Sequence, residues 1–184
     1  PHIAVRLGEI VEQELLIKQL LTELIEATVA GKAAINALTS AGESLYKAKD
    51  LSTWDTFLGG GIIATALKHE ELRISNTYLH AAQMALQRFQ NELLDIQNMK
   101  QTALKVDIDG FVTFADYFFD DIFSAWSIHS KIATSQNQLR RVLDDVSNTI
   151  LGLEGKIEQA KIANQKIQKE KLGILSSGQE ALFF

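Results

Sequence analysis

The stretch IFSAWSIHSKIATSQNQLRRVLDDVSNTILGLEGKIEQAKIANQKIQKEKLGI, residues 122–174, decides the fold. Ile122, Ala125, His129, Ile132, Gln136, Leu139, Leu143, Val146, Ile150, Leu153, Ile157, Ala160, Asn164, Ile167, Lys171 and Ile174 recur in alternating steps of three and four. That spacing holds one narrow seam on one side of an α-helix. No proline follows Pro1. Nothing downstream therefore removes a backbone donor or drives a ring into the preceding turn, and very long helices are permitted.

Moving outward, Ile10, Glu14, Ile17, Leu21, Leu24, Thr28, Gly31, Ile35, Leu38, Gly42 and Leu45 keep the same rhythm and predict a helix over about residues 8–50. Its second half is poor in bulk, with Ala27, Ala30, Gly31, Ala33, Ala34, Ala37, Ala41 and Gly42 spread over several faces. Small side chains let a neighbouring helix come close. A second helix is expected over about 62–104, with Leu72, Ser75, Leu79, Ala82, Leu86, Phe89, Leu93, Ile96 and Ala103 on its seam. A third is expected over about 113–174, followed by a tail at 175–184 that begins with the stop signal Ser176-Ser177-Gly178.

The third helix opens with Phe111, Phe114, Tyr117, Phe118, Phe119, Phe123 and Trp126, and aromatics all round a helix mean burial on several sides. Farther along, only the seam stays apolar. A thick end where three helices meet and a thinner end with fewer neighbours follow from that change. The fold class read from these patterns is all-α: an elongated antiparallel three-helix bundle or coiled coil with an extended third helix, forming a single domain over 1–184. An up-down-up course would leave everything after Leu153 overhanging the first hairpin. It would dock there on the Trp54 loop, pair with another chain, or stay exposed.

Ser52 and Asp55 have capping-box spacing and predict a short helical turn before Gly59, Gly60 and Gly61, which suit a reversal of direction. Those glycines lack the Lys-Ser/Thr of a phosphate loop and the strand that precedes a dinucleotide site. Asp107-Ile108-Asp109-Gly110 has part of a calcium-loop pattern, yet Lys105 stands where the first ligand belongs. The aspartates suit a helix start instead.

Catalytic sets are missing. None of His2, His69, His80 and His129 follows a glutamate by three residues, as a di-iron bundle requires, and His69-Glu70 has no second histidine four residues after the first. Asp116, Asp120 and Asp121 read as a solvated acidic face, and Lys156, Lys161, Lys166, Lys169 and Lys171 carry no interleaved aromatics. His129, Gln136 and Asn164 are polar residues on an apolar seam, where they set register or partner number. No catalytic residue, cofactor or metal is expected.

Two segments, Thr53-Trp54-Asp55-Thr56-Phe57-Leu58-Gly59-Gly60-Gly61-Ile62-Ile63 and Phe114-Ala115-Asp116-Tyr117-Phe118-Phe119-Asp120-Asp121, resemble a group of bacterial coiled-coil proteins with no assigned function. The resemblance covers about a quarter of the chain and implies a helical fold, with no activity to carry over.

A chain with no cysteine, a net charge of −5 and a pI near 5.4 fits a reducing compartment and disfavours nucleic acid. No signal peptide or window of about 20 apolar residues stands out, which reads as soluble and cytoplasmic. The expected function is a non-enzymatic helical interaction or scaffolding protein that acts through coiled-coil contacts with a protein partner or with itself as a homo-oligomer. Trp54, Asp55, Phe57, Ile157, Asn164, Ile167 and Ile174 are the candidate contact residues. The alternative is a membrane-interacting, toxin-like protein using the apolar, glycine-rich hairpin tip at 57–67.

Overall fold

In the computed structural model the described residues are 2–58, 62–99 and 132–183, with the side chains of 45, 48–58, 62–76, 132–138 and 180–183 outside that description. They form three α-helices: α1 (His2–Leu58), α2 (Ile62–Asn98) and α3 (Ile132–Phe183). Every described residue except Met99 is helical. The all-α bundle read from the sequence is the fold.

α1 is the central element, and α2 and α3 each pack along it while hardly touching each other among the described residues. It can serve both because it buries two adjacent rows. One is the expected seam, with Ile10, Glu14, Ile17, Leu24, Thr28, Leu38 and, on glycine, Gly31. The other is Leu20, Ala27, Ala30, Ala34 and Ala41. Alanine is the best helix former and adds no bulk, so this row stays helical while admitting a second neighbour. Thr28 can sit in a seam because its hydroxyl donates to the carbonyl of Leu24 at 2.8 Å, satisfying a buried donor within its own helix.

Gly31 is a point where both neighbours come close to α1. A Cβ there would lie 2.9 Å from Ile150 Cγ1 and 3.0 Å from Phe89 Cε1, so α2 and α3 both reach α1 at this point. The core around it includes the fully buried Phe89, Leu24, Leu38, Leu93, Leu153, Val142 and Val146. Each such side chain contributes about 1.5–3 kcal/mol by leaving water.

The direction of α3 differs from the up-down-up expectation. Glu14 meets Lys171, Lys32 meets Glu154, Gly31 faces Ile150, and Gly42 faces Leu139. Residue numbers rise along α1 as they fall along α3, so the two are antiparallel. α2 is antiparallel to α1 as well, since Glu23 and Glu26 lie beside Glu92 while Gly31, farther along α1, faces Phe89. α2 and α3 therefore run parallel. The physical reason is that a heptad seam packs equally well on a partner of either direction, and the charged pairs decide.

Three further expectations are corrected. The segment after Leu153 does not overhang the first hairpin; it lies along the first half of α1 and buries Ile157 and Ala160 there. The Ser176-Ser177-Gly178 stop does not end α3, which continues to Phe183. Ser177 donates its hydroxyl to the Gly173 carbonyl at 3.0 Å, a bond that a helix interior tolerates. Likewise residues 51–58 continue α1 in place of a separate capped turn. The glycines at 59–61, the acidic turn at 105–110 and the aromatic run from Phe111 to Trp126 lie outside the described residues.

Candidate interaction surface

Past the last turn of α2, the described residues that remain are those of α1 and α3, a two-helix end. Within this two-helix end the seam carries a charged layer. Glu14, 8% exposed, accepts from Lys18 Nζ at 2.8 Å, Gln168 Nε2 at 2.7 Å and Lys171 Nζ at 3.1 Å. Three donors around one carboxylate hold its pKa at about 2, below the usual 4.5, with Lys18 the largest cause, then Lys171 and Gln168. On the rim, Arg6 bridges Glu9 and Glu170 at 2.9 and 2.7 Å, and farther along Lys32 meets Glu154 at 3.0 Å. Exposed pairs of this kind are worth ~1 kcal/mol or less. Their main effect is on register: they align only when α3 runs antiparallel at this offset.

The expected contact residues on α3 fall inside the fold. Ile157 is buried against α1, Ile167 packs partly buried on the same core, and Ile174 is half-buried. Asn164 is also in this seam; its Oδ1 is buried with no hydrogen-bond partner. Of the other expected register residues, Gln136 lies on α3 with its side chain outside the description, and His129 lies outside the described residues. Trp54, Asp55 and Phe57 belong to the last turns of α1, and their side chains are not described.

Sequence reasoning placed Glu14 and Lys171 on separate seams without joining them. The signal was present: a lone glutamate and a lone lysine, each interrupting an apolar row. Their pairing depends on helix direction, which neither row encodes.

A second grouping lies on the α1–α2 edge. Carboxylate oxygens of Glu23, Glu26 and Glu92 lie within 4.8 Å of one another. Glu23 has its pKa raised, first by burial and then by Glu26, Asp95 and Glu92.

The side of α1 turned away from both neighbours is unexpectedly apolar. Val11, Leu15, Ile25 and Val29 are 52%, 55%, 47% and 60% exposed. They belong to a third row in alternating steps of four and three, Ala4, Gly8, Val11, Leu15, Lys18, Thr22, Ile25 and Val29, every member exposed. A solvated helix face ordinarily carries charge. Here one charge, Lys18, interrupts a heptad seam that no described residue covers. The row was legible in the sequence, but three overlapping seams on one helix mask each other until two are assigned.

Among the described residues, no helix is long and apolar enough to cross a membrane. Compared with protein-family models, curated proteins and solved structures, the chain matches none.

Proposed function

We propose that this chain is a non-enzymatic helical interaction or scaffolding protein that works through coiled-coil contacts. The observation that carries the reading is the exposed heptad row of α1, because apolar residues at heptad spacing are what one helix offers another. The seam at 154–174, first in line as a contact surface, is occupied by α1 of the same chain, so the outward-facing surface moves to α1. A soluble, cytoplasmic location belongs to the same proposal and agrees with the absence of cysteine.

The test is cross-linking with mass spectrometry on the full chain in its native host, alongside flotation with anionic vesicles. Protein cross-links that cluster on the outer row of α1, with no vesicle binding, support the reading. Co-flotation without such cross-links would replace it with the membrane-interacting alternative.

A further inference from the structure

We infer that the final stretch of α3, residues 161–179, is a releasable strap that undocks from the first turns of α1 as one unit while the core around Gly31 stays closed. The inference goes beyond the interaction reading and stands apart from it. Its first support is a change along the seam. Between Leu139 and Ala160, α3 buries a side chain at nearly every turn, whereas from 161 to 179 every residue keeps at least partial exposure. The seam positions in that stretch are Asn164, Ile167, Lys171 and Ile174, half of them polar, and on α1 Glu14 stands between Ile10 and Ile17. Less apolar area therefore leaves water when this part of α3 docks.

The polar members of the seam act in opposite directions. Gln168 Nε2 and Lys171 Nζ reach across from α3 to Glu14 at 2.7 and 3.1 Å, and these charge-assisted bonds close the strap. Arg6 meets Glu170 at 2.7 Å, but both are exposed enough for salt to screen the pair. Asn164 Oδ1 is buried without a partner and regains water on release, so only the docked state carries an unmet acceptor. Local chemistry agrees. Gly173, Ser176, Ser177 and Gly178 give this end of α3 a low helix propensity. At Gly31 a Cβ would collide with both neighbouring helices, so close packing accounts for the glycine; at Gly173 and Gly178 nothing lies within 4 Å of a Cβ, so packing does not. The helix there persists by docking, and release lets it unwind. Opening uncovers Ile10, Ile17, Ile167 and Ile174, heptad positions that the docked seam covers wholly or in part.

Native-state hydrogen exchange on the full chain, read by mass spectrometry in low guanidinium, tests the strap. Amides of 164–176 and of 6–17 should share one protection level and one denaturant dependence, ~100-fold or more below the amides of 24–38 and 142–157. Ile150→Val, a mild core truncation, should lower protection in the core segments about 2- to 10-fold and leave 164–176 unchanged, because the open-strap and closed forms lose the same contact. Asn164→Leu should raise protection at 164–176 and 6–17 together, by ~10-fold or more. Protection at 164–176 that equals the core's, or that falls in step with it in Ile150→Val, overturns the inference, since the strap would then open only by global unfolding. Protection that declines residue by residue toward the C-terminus, with 6–17 indifferent to Asn164→Leu, overturns it as well, because that is the fraying of a single helix end.

Discussion

Replacing Gly31 by alanine isolates the cost of the three-helix junction. In a helix interior, Gly→Ala gains ~1 kcal/mol from backbone propensity alone. At Gly152, where nothing lies within 4 Å of the added Cβ, that gain should appear undiminished. For a chain of this size it corresponds to ~2–4 °C in Tm. At Gly31 the same gain is opposed by Ile150 Cγ1 at 2.9 Å and Phe89 Cε1 at 3.0 Å. Neither atom is the free end of a flexible side chain, so relief requires a shift of α2 or α3, and overpacking of this kind costs ~1–3 kcal/mol. Gly31→Ala should therefore fall between neutrality and a loss of ~2 kcal/mol. The informative quantity is the difference between the two variants, ~1–3 kcal/mol, because the propensity and unfolded-state contributions cancel. Gly42→Ala should lie between them, since its contact at 2.9 Å is with Leu139 Cδ2, a methyl that can rotate away. Guanidinium unfolding followed by helical dichroism measures all three. If Gly31→Ala proves as stabilising as Gly152→Ala, the close approach of both neighbours at Gly31 is refuted.

Two further outcomes follow from the two-helix end. The pKa of Glu14 is depressed from 4.5 to about 2 on folding, so its contribution is fully present above about 4.5 and is lost as pH falls toward 2. Unfolding midpoints across that window should drop with acid, and Glu14→Gln should flatten the slope; an identical slope in the variant would show that Glu14 does not bind its three partners in solution. Asn164→Leu should raise stability by ~1–3 kcal/mol, because it removes a buried acceptor that has no partner and fills the seam with apolar surface. A destabilised leucine variant in a urea melt would mean that Asn164 makes a bond its leucine replacement cannot.

Both seams of the α1–α3 pair and the small-residue row that admits α2 could be read from spacing and side-chain size. Asn164 was also legible as a polar interruption. The contact role expected for Ile157, Ile167 and Ile174 was a different matter: an apolar residue at heptad spacing announces that it will meet a helix, without saying whose. Ile157 meets α1 of its own chain. The same ambiguity hid the outer row of α1, whose Val11, Leu15, Ile25 and Val29 could have been a third internal contact until α2 and α3 occupied the other faces.

By itself, then, the sequence determined that this protein is built of long helices and which residues form each apolar row. These properties are local: they follow from the absence of proline after Pro1 and from steps of three and four along one chain. Only the tertiary structure decided that α3 runs antiparallel to α1, that Glu14 gathers Lys18, Gln168 and Lys171, and that one apolar row of α1 faces outward. The meeting of α1 and α3 depends on residues far apart in sequence, such as Glu14 and Lys171. A heptad seam is nearly indifferent to the direction of its partner, so the choice falls to a few charged pairs whose energy exists only once the helices have met.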